Sequence, residues 1–255
     1  MALLVAACQP APAIPIPTST RALPSPTRTI AFPTLVPTAT PTPGASATPT
    51  PDLRIETGRL LLSDTFDDEA AWHLSQTETG GSSVSGGRLS LSVRQPRAYQ
   101  LALRDDGHYT DILVEVDVLT ELCSPGDEFG LMLRVVGLTQ YYRFIIGCDG
   151  TARAGRVLEE GSRALTWPIP SPAILQASPA RNHLAVLARG DTFRFLVNDV
   201  EVLAVRDVSL VSGGIGFLAR AGAGGQVSVA FDDLAVYALT EAVTPTPPTG
   251  PTPSP

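Results

Sequence analysis

The chain has 255 residues, including 24 prolines and 22 glycines; only 6% are aromatic and 17% charged, and the formal net charge is −7. All eighteen basic residues are arginine and no run of them occurs, so the electrostatic footprint of a nucleic-acid-binding protein is missing. No stretch of eighteen apolar residues exists to form a membrane-spanning helix.

The chain opens on "MALLVAACQP". "VAAC", Val5 to Cys8, resembles the bacterial lipobox: an aliphatic residue, two small ones, then cysteine. The resemblance implies cleavage just before Cys8 and acylation of its thiol, with each buried methylene holding the chain to a membrane by about 0.8 kcal/mol. The segment has no basic residue before Cys8 and a shorter apolar run than a full signal peptide. Either the start lies upstream or Cys8 is incidental, and the Pro/Thr tract directly after it favours the anchor. That tract, residues 9–57, ends in "PTATPTPGASATPTP" before the core and cannot bury one of its own. As extended polyproline II its Pro/Thr-rich part, residues 9–51, reaches about 130 Å, enough for a stalk. Residues 241–255, "EAVTPTPPTGPTPSP", repeat the composition as a second disordered segment.

Residues 58–240 read as one domain. No segment keeps a helical period without interruption, and short alternating runs recur instead. "RLSLSV" (88–93) sets leucine and valine against serine. "ILVEVDVL" (112–119) sets Val114, Val116 and Val118 against Glu115 and Asp117. "EFGLMLRVV" (128–136), "YYRFIIGC" (141–148), "HLAVLARG" (183–190), "TFRFLVND" (192–199), "EVLAVRDV" (201–208), "GGIGFLAR" (213–220) and "QVSVAFDDLAVYAL" (226–239) follow. "GCDGTA", "RGDT" and "VNDVE" between them are hairpin signals. About eleven to thirteen such strands predict an all-β fold, a two-sheet antiparallel jelly-roll sandwich.

Two local features stand out. Cys123 follows the strand at 112–122 and Cys148 ends the one at 141–148. If 112–122, 128–136 and 140–148 form a meander, the first and third strands end on the same side, which brings Cys123 and Cys148 within disulfide reach. In "VSVAFDDLAVY", Val227, Val229 and Phe231 share one parity while Leu234 and Val236 share the other. The phase change across Asp232–Asp233 predicts a β-bulge.

Taken in order, "SDTFDD" (63–68) with Trp72, "GGRLSL" (86–91), "DILVEVDV" (111–118), "FGLMLRV" (129–135), "YYRFII" (141–146), "LTWP" (165–168), "NHLAVLARGDTFRFLVND" (182–199), "GGIGFLA" (213–219) and "FDDLAVY" (231–237) resemble the concanavalin A-like lectin/glucanase superfamily. The resemblance is strongest to its laminin G-like and 3-keto-disaccharide hydrolase-like domains. It implies that the first and last strands pair, bringing "DTFDD" beside "AFDDL". It also implies a structural Ca²⁺ there, with Asp232 as first candidate ligand and Asp64 as second; hard oxygen ligands suit this ion.

Catalysis is weakly supported. "EVDVLTE" (115–121) faintly resembles the paired-glutamate motif of family 16 glycoside hydrolases. However, Glu115 and Glu121 lie about 20 Å apart along an extended strand, whereas a glycosidase needs its carboxyls within about 10 Å. A binding module needs only an aromatic platform and a few polar groups. Trp167, in a loop-like Pro-flanked stretch, and Tyr141 and Tyr142, which point to opposite faces of one strand, are the candidate ligand contacts. The expected protein is a monomeric, lipid-anchored, extracellular module that binds glycans or envelope polysaccharide without catalysis. A glycan-processing hydrolase and a protein–protein interaction domain are the rivals.

Overall fold

Strand after strand buries every second residue. In the computed structural model, which describes residues 57–104 and 106–240, this alternation builds sixteen strands and, among the described residues, no α-helix. They are β1 (Thr57–Asp64), β2 (Trp72–His73), β3 (Gly80–Ser85), β4 (Arg88–Val93), β5 (Tyr99–Arg104), β6 (Ile112–Leu122), β7 (Glu128–Val136) and β8 (Gln140–Gly147). Then come β9 (Thr151–Leu158), β10 (Gly161–Ala164), β11 (Ile169–Pro170), β12 (Ala180–Arg189), β13 (Thr192–Val197), β14 (Val200–Arg206), β15 (Gly214–Arg220) and β16 (Val227–Leu239). Cys8, expected to carry the lipid, and the segments expected to form the stalk and the tail, residues 9–56 and 241–255, lie outside the described residues.

Two antiparallel sheets form. The first runs β14-β13-β12-β6-β16-β4-β3, with β1 added on β16; the second runs β10-β9-β8-β7-β15-β5-β2, with β11 added on β9. Their inner faces share one core, in which Leu89, Val114, Val116, Phe195 and Phe231 of the first sheet meet Phe129, Leu131, Phe144 and Phe217 of the second. The sandwich expected from the alternating runs is therefore present. The extra strands, such as β3 and β9, are rich in serine, glycine, alanine and arginine. They lack large apolar residues to mark a period, so pairing with neighbours defines them. The turn after β13 has Asn198 at φ 51° and Asp199 at φ 65°, the two left-handed residues a tight hairpin requires.

The bulge in β16 sits where the phase changes. Pairing with β6 shifts register between Asp232 and Ala235, and Asp233 takes φ 51°. The extra residue lets Phe231 and Leu234 both point into the core, at 0% and 1% exposure. On the other edge of β16, β4 pairs with Val227 to Phe231 and β1 with Leu234 to Leu239. The first and last strands thus lie side by side, with Asp64 opposite Leu234.

The opening Phe-Asp-Asp and the closing one meet in a single aromatic cluster. Asp64 accepts a hydrogen bond from Phe66 N (2.7 Å) and from Trp72 Nε1 (3.0 Å), and it pairs with Arg104. These contacts hold Phe66 at φ 55° with its ring buried. The Phe66 ring lies 5.5 Å from Trp72 and 6.1 Å from Phe217, and Phe217 stacks on Phe231 at 4.1 Å.

Cys123 and Cys148 form the expected disulfide, with Cα atoms 5.7 Å apart. The meander invoked to bring them together does not exist, because β6 belongs to the first sheet while β7 and β8 belong to the second. The bond staples the two sheets at one end. Beside it, buried Asp127 accepts from Ser124 N and Gly222 N, both at 2.7 Å.

Phe217→Ala is expected to cost about 3–5 kcal/mol of unfolding free energy, since it empties the centre of the aromatic cluster; urea unfolding measures it. Replacing both Cys123 and Cys148 with serine is expected to cost about 3 kcal/mol by releasing the closed loop in the unfolded chain. The same titration, compared with and without reductant for the wild type, checks that value.

Candidate ligand-binding face

Strands of the second sheet send their remaining residues outward, and register decides which of these meet. One row across the sheet reads Leu101, Leu218, Gly130, Ile145 and Arg153 from β5 to β9. The next reads Leu103, Gly216, Met132, Arg143 and Gly155. On the other side lie Tyr99, Arg220, Glu128 and Gly147. Leu103, Met132, Tyr141, Ile145 and Leu218 pack into an apolar cluster separate from the interior. The glycines keep this floor low. A methyl on Gly130 would strike the Phe144 carbonyl, one on Gly216 would come 2.7 Å from Leu103, and one on Gly155 would come 2.9 Å from Arg143 Nε.

Along β5 the floor opens into a cleft of about 770 Å³. Leu101 and Leu103 form its base. Tyr99, Arg97, Thr77 and Thr79 line it, and Gly137 and Leu138, from the β7–β8 turn, contribute a further part of the wall. Tyr99 is 64% exposed, so its ring is free to receive a ligand.

Beside the cleft lies a charged group. Glu128 accepts two hydrogen bonds from Arg153, Nε to Oε1 at 2.8 Å and Nη2 to Oε2 at 2.6 Å, and a third from Arg220 Nη1 at 3.3 Å. Burial by itself would raise the Glu128 carboxyl, but the hydrogen bonds and charges of Arg153 and Arg220 outweigh it and hold it below the usual carboxylate range. Arg143 donates from Nη2 to Ser162 Oγ at 2.8 Å. Burial, then the nearby charge of Arg153, lowers the Arg143 guanidinium, which nevertheless remains charged at neutral pH.

The aromatic candidates are not brought together. Tyr141 lies on the outward face within the apolar cluster, and burial raises its phenol. Tyr142 faces the interior with no exposure, so it is a core residue and no ligand platform. Its hydroxyl donates to Asp207 Oδ1 at 2.6 Å and accepts from Leu210 N at 3.1 Å. Trp167 is 86% exposed but sits between β10 and β11, along the β9 side of the sheet and away from the cleft. Tyr99 is one of the large aromatics the sequence offers but was not chosen as a ligand contact, and Arg143, Arg153, Arg220 and Glu128 were not singled out from the sequence. Their parity within each strand was readable, but which residue stands opposite which was not.

The calcium candidates are committed elsewhere. Asp64 is held by Trp72, Phe66 N and Arg104, and Asp232 lies 3.5 Å from both Arg88 and Arg181. Among the described residues no group of three or more His, Cys, Asp or Glu is arranged around a common point for a metal. With guanidinium groups already balancing their charge, Asp64 and Asp232 do not fit a Ca²⁺ site. In the first sheet, Asp117 of "EVDVLTE" pairs with Arg181 and His183, and Glu121 accepts from Ser228.

No protein-family model matches the chain, and no curated protein matches its sequence. Solved structures do match its fold. The carbohydrate-binding module CBM66 from Bacillus subtilis superposes with a TM-score of 0.54 at 14% identity, over 67% of this chain and 98% of that one. A Bacillus subtilis protein of unknown function with a galectin-like fold gives 0.58 at 15%, over 73% and 99%. The catalytic domain of an endo-1,3-β-glucanase (laminarinase) from Thermotoga petrophila gives 0.53 at 11%, over 73% and 100%. The chain thus shares the two-sheet β-sandwich fold of these structures.

Asp207 supplies a pH test. Burial alone would raise its carboxyl, but hydrogen bonds from Tyr142, Ser209 and Arg156 bring it down to about 2, against 3.8 for the free group. A depressed carboxyl contributes stability that is complete above pH 3.8 and is lost as pH falls toward about 2. Asp207→Asn is therefore expected to destabilise the domain above that window. The gap from wild type should narrow through the window, as read by urea unfolding across acid pH.

Proposed function

We propose that the domain is a non-catalytic glycan-binding module displayed outside the cell, with a saccharide lying along β5. The observation that carries this reading is the cleft itself: an exposed Tyr99 ring beside the apolar floor of Leu101 and Leu103, rimmed by the hydroxyls of Thr77 and Thr79. A sugar presents an apolar face, which the Tyr99 ring and the leucine floor match, and a rim of hydroxyls, which faces Thr79 and Thr77, themselves bonded to each other at 3.0 Å.

The fold alone would permit either activity, since it is shared with a carbohydrate-binding module and with a laminarinase catalytic domain. The charges favour binding. A glycosidase needs a second carboxyl at about 5–5.5 Å or about 6.5–9.5 Å and a proton donor with a raised pKa. Among the outward strand positions of the second sheet, the carboxylate is Glu128, and Arg153 and Arg220 hold it ionised. The disulfide suits an oxidising compartment, in keeping with export through the Cys8 anchor and the Pro/Thr stalk.

Affinity electrophoresis of the whole chain through gels containing laminarin, polygalacturonate or carrageenan tests the proposal. At least one polysaccharide is expected to retard the wild type, and Tyr99→Ala should weaken that binding about tenfold, with little change in melting temperature. Unretarded migration in all three gels would overturn the reading. Release of reducing ends from any of the polymers would overturn the non-catalytic half.

A further inference from the structure

We infer that the bound glycan carries an anionic group, a carboxylate or a sulfate ester, seated against the Arg143 guanidinium. This rests on the glycan-binding reading above and names the class of ligand for that same face.

The charge distribution points to it. The chain as a whole is acidic, at −7, yet the outward positions of β7, β8, β9 and β15 place Arg143, Arg153 and Arg220 against the single carboxylate of Glu128. Arg153 takes both oxygens of Glu128 in a fork, and Arg220 reaches the same carboxylate at 3.3 Å with its side chain 43% exposed. Arg143 feels the Glu128 charge but forms no ion pair with a described residue. Its bond to a described residue is to the neutral hydroxyl of Ser162, its Nε is buried without a partner, and Nη1 bonds to no described residue. A half-buried guanidinium beside two like charges is costly unless an anion joins it. An anion there gains a charge-assisted bond and faces little competition from water.

Gly155, opposite Arg143 on β9, and Gly130, opposite Ile145 on β7, carry no side chain above the floor. The absent Cβ of Gly155 is what lets Nε lie over the backbone, 2.9 Å from where that atom would stand. Arg220 stands directly opposite both Tyr99 and Glu128, so the cationic patch continues into the cleft. A chain of sugars stacked on Tyr99 would carry its substituents toward Arg220 and Arg143. Arginine suits this task, because its fork matches the flat carboxylate and the sulfate edge alike.

Dissociation constants of the whole chain for laminarin (neutral), polygalacturonate (carboxylate) and carrageenan (sulfate), taken at low and at raised NaCl, test the inference. One anionic polymer is expected to bind at least tenfold tighter than laminarin, with an advantage that shrinks as salt rises. Which polymer wins distinguishes carboxylate from sulfate. Arg143→Gln should erase that advantage, bringing the dissociation constant for the anionic polymer to within about twofold of that for laminarin. Arg88→Gln, on the outward side of the first sheet, should change neither. Arg143→Lys keeps the charge without the fork and should retain only part of the preference. Should Arg143→Gln lower the melting temperature enough to unfold the domain, the lysine variant and Arg220→Gln carry the test, each being expected to reduce the preference severalfold. Laminarin binding as tightly as both anionic polymers, or a preference untouched by these variants, would overturn the inference and leave the glycan-binding reading standing. Failure of all three polymers to bind would overturn both.

Discussion

Phe217 and Phe231 stack at 4.1 Å, and this contact joins the two sheets where the two ends of the domain meet. Phe217 belongs to β15 of the second sheet and Phe231 to β16 of the first. Phe66 and Trp72, which follow the first strand, close over the pair. The arrangement depends on β16 keeping its apolar residues inward over thirteen residues while serving β4 and β1 in succession. A strand with unbroken alternation could not do so with this sequence, because Phe231 and Leu234 have opposite parity. The bulge at Asp232–Asp233 absorbs the mismatch, and its exposed, polar residues are what such an irregularity tolerates. The repeated Phe-Asp-Asp is therefore structural: each phenylalanine feeds the shared cluster, and each aspartate pair serves a turn, a bulge or an ion pair.

Arginine does much of the polar work in a chain without lysine. Arg104 pairs with Asp64 beneath the Trp72 ring, whose centroid is 5.6 Å from the guanidinium. Arg134 is buried at 3% exposure, where it donates to the carbonyls of Leu210 (2.7 Å), Gly190 (2.8 Å) and Thr110 (3.2 Å) over the face of Phe193. A planar fork with several donors can gather loop carbonyls in this way, and a single ammonium cannot. Arg156 binds Asp207, which also receives Tyr142. Arg104, Arg134 and Arg143 each bury an Nε without a hydrogen-bond partner, but only Arg143 of the three lacks an ion pair or a set of carbonyl acceptors, and it faces outward on the sheet that carries the cleft.

Both outer faces of the sandwich carry an apolar cluster, Leu113, Ala185, Leu187 and Leu196 on the first sheet and Leu103, Met132, Tyr141, Ile145 and Leu218 on the second, but their charge balance differs. On the first sheet, Arg181 bridges Asp117 and Asp232, and Arg194 pairs with Glu201, so opposite charges balance locally. On the second, glycines flatten the centre, apolar side chains pave it, and positive charge exceeds negative. Glu115 and Glu121 of the paired-carboxylate motif lie on β6 of the first sheet, where Asp117 between them pairs with Arg181 and His183, and Glu121 accepts from the Ser228 hydroxyl.

Alternation in the sequence was enough to determine the all-β class, the approximate bounds of the long strands, the turn at Asn198–Asp199 and the bulge at Asp232–Asp233. These are properties of adjacent residues, set by the period of two and by local backbone preferences. The same alternation placed Tyr141 and Tyr142 on opposite faces but could not say which face was core; packing against Phe193 and the bond to Asp207 decided that for Tyr142. The disulfide was legible as a pair of positions, although its role as a staple between sheets was not. Only the tertiary structure put Tyr99 beside Arg220, Arg220 beside Glu128 and Arg143 over Gly155. The first two pairs come from strands distant in the chain and the third from the β8–β9 hairpin, and the register that joins them is fixed by the burial of the opposite face, which no single segment of sequence contains.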